Sequence, residues 1–244
     1  MKLLHQTRKD PIMDPQIQEL AGFGLKGQEL NHDSLFSLAK KFCKEQSLIN
    51  HETLIGVTDG KAVGSYVEHR FQEALVETFG EIEVGNSARG IDIPDPRVMT
   101  DIKVTSIRQP QSSCPYTEAG QKIFGLGFNL LLFVYEKNDT PTECRLRFTN
   151  CAFISKDRSA DFTMTKRLIE MVNDGANVED IQAYLFDRNI PGDDIALRSL
   201  AEKVIDNPPK QGYLNISNAL QLRLQYGRVI TLENTVEGID NFDA

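Results

Sequence analysis

The chain has no long hydrophobic run. Its longest unbroken one, Leu130 to Tyr135, falls far short of the ~20 apolar residues that a bilayer span requires. No secretory signal or transit peptide is legible at the start. Cysteine is scarce: the four present, Cys43, Cys114, Cys144 and Cys151, show no metal-ligand spacing. That excludes a disulfide framework and a zinc knuckle and fits reduced thiols in a cytoplasmic protein. None of the four histidines has a recognisable place beside a cysteine, as a thiol nucleophile would need. Positive charge is in deficit, 27 Lys and Arg against 35 Asp and Glu for a net charge of −8, which excludes a partner held by bulk basic charge. Internal repeats and low-complexity tracts are absent too, so no solenoid is encoded.

What is present is ample material for a core, since 40% of the 244 residues are apolar. The pattern divides the chain into an N-terminal arm and helix (1–60), an α/β core (61–160), a helical region (161–230) and a solvated acidic tail (231–244) holding Glu233, Glu237, Asp240 and Asp243. Asp33 caps an amphipathic helix running to Gln46. Residues 62–79 form a helix, because Val63, Val67, Phe71 and Leu75 recur every four positions and Gly80 stops it. Three strands follow, at 81–85, 90–94 and 98–105. Ser113 caps a helix that starts near Pro115 and ends at Gly125 or Gly127, and Phe128 to Tyr135 is a fully buried strand. A strand at Arg145 to Ile154 precedes helices at 163–172, 178–186, 194–205 and 217–225.

Residues 90–105 carry the chemistry. Val98, Ile102 and Val104 share one strand face, so Asp101 and Lys103 share the other. Pro94 and Pro96 turn the chain back, and on the preceding strand Asp92 faces opposite Ile91 and Ile93. A hairpin would bring Asp92 and Asp101 together near Lys103. Two carboxylates and one ammonium in this arrangement suit a Mg²⁺ ion that must hold a phosphate and a water. Asp95 competes with Asp92 as the first acid, but it lies between two prolines, where a turn carries its carboxylate off the strand face. On spacing alone, Asp101 and Lys103 would be an idle surface ion pair and Glu68 a helix-surface residue.

The order of Asp, a gap, then Asp-x-Lys resembles the PD-(D/E)xK nucleases. The element order, helix, three strands, helix, strand, is similar to that superfamily's core, a mixed sheet flanked by helices. The wording of "GKAVGSYVEHRFQEAL", "GNSARGIDIPD", "DIKVTSIRQPQSSCPY", "GQKIFGLGFNLLLFVYEK" and "ISNALQLRLQYGRVI" resembles the HaeIII-like type II restriction endonucleases over roughly residues 50–230. One departure is that the first acid follows isoleucine, not proline. The resemblance implies Mg²⁺-dependent hydrolysis of double-stranded DNA at a specific site, GGCC in that subfamily, by a homodimer whose host carries a cognate methyltransferase. It implies catalytic roles for Asp92, Asp101, Lys103 and Glu68, and a metal held by Asp92, Asp101 and the Ile102 carbonyl. The segment after the catalytic strand, with Arg108, Gln109, Gln111, Ser112 and Ser113, is placed to contact DNA. A junction-resolvase-like repair enzyme, or a DNA-binding module that does not cut, are the alternatives on the same fold. The basic groups Lys40, Lys41 and Lys44, and Lys156, Arg158, Lys166 and Arg167, read as ordinary solvated faces.

Overall fold

The computed structural model describes residues 27–80, 82, 85, 90–218 and 222–243. It opens with α1 (His32–Leu48), capped by the Asn31 side chain and Ser34 in a reciprocal pair of hydrogen bonds. Asp33 therefore lies in the first turn and is not the cap. The helix α2 (Gly60–Phe79) buries Val63, Val67, Phe71 and Leu75, the stripe that the four-residue spacing predicts. Asp59 caps its start and Gly80 ends it at φ 79°.

Strand β1 (Thr100–Ser106) pairs in parallel with β3 (Asn129–Asp139), which pairs antiparallel with β4 (Cys144–Ile154), which pairs with β7 (Ile239–Asp243). The result is a mixed four-stranded sheet in the order β1-β3-β4-β7, with β1 at one edge. Its two faces have separate cores. On one face Ile102, Leu131, Phe133 and Phe148 pack against α1 and α2, where Phe42 and Phe71 meet Phe133 at ring distances of 5.5 and 4.9 Å. On the other, Leu130, Leu132, Val134, Ala152 and Ile154 pack against a second, three-stranded sheet. The unbroken run at 130–135 is thus buried on both sides, as interior strands are.

That second sheet is the largest difference from the sequence reading. It joins β2 (Gln111–Cys114), β6 (Leu222–Gln225) and β5 (Asn215–Asn218) in the order β2-β6-β5. The helix expected from Ser113 onward shrinks to the short α3 (Gln121–Phe124) with Gly120 at its N-cap, and Ser113 lies within β2. Of the helix expected at 217–225, residues 217–218 and 222–225 are strand instead, and 219–221 lie outside the described residues. Leu214, Ile216, Leu222, Leu224 and Tyr226 are buried at a spacing of two, and that period outweighs the helix-forming residues between them. The acidic tail is also corrected: Ile239 is buried, and residues 239–243 complete the main sheet against 150–154. The helices α4 (Phe162–Asn173), α5 (Val178–Asp187) and α6 (Asp194–Asp206) stand where the periodicity puts them and share a third core. A short α7 (Gly227–Ile230) precedes β7. Of the three early strands, the third is β1, the second is reduced to one bridge between Ile93 and Thr100, and positions 81, 83 and 84 of the first lie outside the described residues. Among the described residues no helix is long and apolar enough to cross a membrane.

Candidate active site

The edge of β1 that faces away from β3 builds the site. Ile93 and Thr100 exchange two backbone hydrogen bonds of 2.9 Å, so Thr100, and by parity Ile102, turn their backbone groups away from β3. The Ile102 N–H therefore has no strand partner. The Asp92 carboxylate accepts it at 2.7 Å. Both N–H and C=O of a strand residue point to the same side, so the Ile102 carbonyl also faces this edge. The turn between the two segments is held by Asp95, whose carbonyl receives the N–H groups of Val98 and Met99 at 3.0 and 2.7 Å. Met99 enters β1 at φ 34°, an unfavourable conformation for a side chain larger than glycine, and its carbonyl accepts from Asn129 at 2.9 Å.

Side-chain parity places Asp101 and Lys103 on the second-sheet face of β1, level with Leu130 and Leu132. Ile102 on the opposite face anchors the strand under α2. The Lys103 ammonium sits 2.6 Å from the Asp101 carboxylate, both side chains largely buried. Asp92 reaches around the edge into the cleft shared with Asp101 and Glu68, whose carboxyls are close enough to influence its ionisation. Glu68, half-buried at the margin of the apolar stripe of α2, contributes from the other face. These four residues, with His69, Gln72, Gly85, Gly90, Ile91 and Ile102, line a cleft of about 390 Å³.

Burial drives the electrostatics. It raises the Asp92 carboxyl above its ordinary value, opposed by the hydrogen bonds from Asp101 and the Ile102 N–H. It raises Asp101 to about 7, although Lys103 pulls the other way. Burial also works against the Lys103 ammonium, but the Asp101 carboxylate beside it outweighs that and holds Lys103 above the usual lysine value. Lys103 therefore stays cationic, and burial leaves both aspartyl groups easier to protonate than free carboxyls. A divalent cation between them would favour their ionised form. The donors fit one: two carboxylates plus a backbone carbonyl, all hard oxygens, match the sparse protein ligation of Mg²⁺, which keeps most of its positions for water and phosphate. Among the described residues no three His, Cys, Asp or Glu side chains form a metal cage on their own.

The other candidate residues sort clearly. Asp95 is clasped by Arg97 through its Nε at 2.9 Å and Nη2 at 2.6 Å and does not line the cleft, so Asp92 is the acid brought to Asp101. Arg108 and Gln109 are exposed in the turn after β1. Gln111 and Ser113 are on the outward side of β2. Ser112 instead turns inward, with its hydroxyl 2.5 Å from that of the buried Tyr226. The four cysteines are buried and form no disulfide. Among the basic groups, Arg158 is structural, donating to the Glu237 and Gln211 carbonyls, while Lys41, Lys166 and Arg167 pair with glutamates on their own helices. The outward side chains of β5 and β6, Arg223 and Gln225 among them, escaped the sequence reading because their segment scored as helix. The alternation of Leu222 and Leu224 is the signal that would have found them.

A family model described as type II restriction enzyme NspV matches residues 29–241. A curated relative, the type II restriction enzyme NspV of Nostoc sp. (strain ATCC 29411 / PCC 7524), is 47% identical over 212 residues, which cover 86% of this chain and 95% of the relative. No solved structure matches. A family model that matches most of the chain and a relative at that identity over nearly its whole length settle the family: the chain belongs to the NspV type II restriction enzymes.

Proposed function

We propose that the chain cuts double-stranded DNA at a specific sequence through the cleft at the edge of β1, with Mg²⁺ as cofactor and a site of the PD-(D/E)xK kind. The observation that carries this is the convergence of Asp92, Asp101 and Lys103, the last two 2.6 Å apart, in one cleft beside the edge of β1 that faces away from β3. Asp92, Asp101 and the Ile102 carbonyl would hold the cation. When bound, it stabilises the negative charge that develops on the scissile phosphate.

The chain's own groups do the rest. Lys103 is kept cationic and dry by its surroundings, so it orients the attacking water and favours that water's loss of a proton. Asp92 is fixed by the Ile102 N–H, which keeps its free oxygen toward Asp101 and the cleft. Glu68 adds a third carboxylate within reach of Asp92, as a second cation-binding or orienting group. A two-fold dimer suits a palindromic target, and a cognate methyltransferase would protect the host's DNA. The GGCC target implied by the HaeIII-like resemblance finds no support in a match to the NspV family.

Incubation of purified protein with plasmid DNA and Mg²⁺ tests the proposal. Discrete fragments with one sequence at every end are expected from the parent, and none from Asp101→Ala. Full cleavage by Asp101→Ala would overturn the assignment of the site.

A further inference from the structure

The three-stranded sheet has two faces of opposite character. Cys114, Ile216, Leu222 and Leu224 point inward and pack under the main sheet. On the outer face the register sets Ser113 opposite Arg223 and Arg223 opposite Ser217. The next row sets Gln111 opposite Gln225 and Gln225 opposite Asn215. The outer face is thus two cross-strand rows of hydrogen-bonding side chains. It holds no carboxylate, in a chain with 35 acidic residues. Arg223, Gln225, Ser113, Ser217 and Asn215 are exposed, and among the described residues neither Arg223 nor Gln225 has a side-chain partner.

The dimensions and chemistry match a DNA groove. Three strands at ~4.8 Å spacing and two rows ~7 Å apart give a platform about 10 Å by 7 Å. The major groove of B-DNA is about 12 Å wide and admits a β-ribbon. Arginine pairs bidentately with guanine O6 and N7, and glutamine or asparagine with adenine N6 and N7. The platform is also tied to the catalytic strand. Thr105, two residues beyond Lys103, accepts the Gln111 N–H on its hydroxyl at 3.1 Å. The Tyr226 N–H, next after Gln225, donates to the Pro110 carbonyl at 2.9 Å. The small sheet covers the same face of the main sheet from which Asp101 and Lys103 project.

We infer that the outer face of this small sheet seats in a groove of the DNA substrate and that Arg223 and Gln225 are specificity-determining residues that read base edges there. This rests on the DNA-cleaving reading above. Arg223 stands at the centre of its row, flanked by two serines whose short side chains leave its guanidinium free to extend. Gln225 is likewise central in the adjoining row, so the pair would address neighbouring base pairs.

The test begins with the preferred site, found by sequencing the fragment ends that the parent makes. Binding is then measured, with Ca²⁺ in place of Mg²⁺, on a duplex holding that site, on a panel with each base pair replaced in turn, and on an unrelated duplex. For Arg223→Ala, affinity for the preferred site should fall by about tenfold to a hundredfold, with little change on the unrelated duplex and with discrimination lost at one G·C pair. Gln225→Ala should lose discrimination at a different pair. Arg223→Lys keeps the charge but not the planar fork, so it should also lose discrimination while holding its non-specific affinity. Thermal melting of each variant at the parent's temperature shows that the fold is kept. Unchanged discrimination in both alanine variants would overturn the inference, as would a uniform loss on every duplex. A parent that does not cut would refute the proposed chemistry, and its preferred site, selected by binding from a pool of random duplexes, would then carry the same panel and the same two overturning results.

Discussion

Asp92 binds the strand-edge N–H of Ile102 and shares the cleft with Asp101, whereas Asp95, three residues on, is spent on Arg97. Asp92→Ala and Asp101→Ala should therefore abolish cleavage. Lys103→Ala should lower it by about 10²- to 10⁴-fold, with a smaller loss of cation affinity. Asp95→Ala should be close to silent in the same assay. An active Asp92→Ala beside a dead Asp95→Ala would exchange the two. The raised Asp101 pKa of about 7 sets two pH dependences of opposite sign. Cation binding needs the deprotonated carboxylates, so cleavage should fall on acidification through about pH 7. In the cation-free protein the folded pKa lies above the unfolded one. The stability this group contributes is then fully present below the ordinary aspartate value and is lost as pH rises through about 7. The melting temperature of the parent relative to Asp101→Asn, measured in EDTA, should thus decline from pH 5.5 to 8. A flat difference across that window would contradict the raised value.

Elements place these residues by burying what alternates with them. Strand β1 presents Asp101 and Lys103 because Ile102 is clamped under α2, and α2 is clamped by Phe71 against Phe42 and Phe133. Phe71 is fully buried, so Phe71→Ala should cost about 3–5 kcal/mol in urea unfolding. Gly85 has a different part. Its N–H donates to the Asp92 carbonyl at 2.7 Å, and a Cβ there would stand 2.3 Å from the Ile91 carbonyl oxygen. Gly85→Ala should therefore displace the Asp92 segment and lower cleavage on the order of a hundredfold, with a melting temperature near the parent's. Equal losses of activity and stability would show instead that Gly85 serves the core. In the small sheet, Tyr226→Phe removes the hydroxyl partner of Ser112 and should cost about 1 kcal/mol.

At the scale of the molecule, the main sheet is completed from the far end of the chain. Residues 239–243 pair with 150–154, Asn150 donates to the Asp243 carboxylate at 2.5 Å, and Ile239 enters the core between the sheets. Removal of residues 237–244 should uncover the edge of β4 and lower the melting temperature by several degrees, since a loss of about 1 kcal/mol moves a domain of this size by roughly 2–4 °C. A solvated acidic tail would be removable without effect.

The sequence by itself determined the helices of strong four-residue period, α1, α2, α4, α5 and α6, and the strands β3 and β4. Apolar periodicity is a local property, and long stretches average out its exceptions. It also singled out Asp92, Asp101 and Lys103, because alternation on a strand fixes which side chains share a face. The second sheet was decided only by tertiary structure. Its strands are four residues each, too short for a period to register, and β2 is a strand chiefly because β6, more than a hundred residues away, supplies its hydrogen bonds. The tail became a strand for the same reason: the open edge of β4 gives Ile239 to Asp243 backbone partners that no local pattern announces. The convergence of Glu68 with Asp92 is likewise a product of packing, since the two lie on different elements and meet only where α2 crosses the edge of β1.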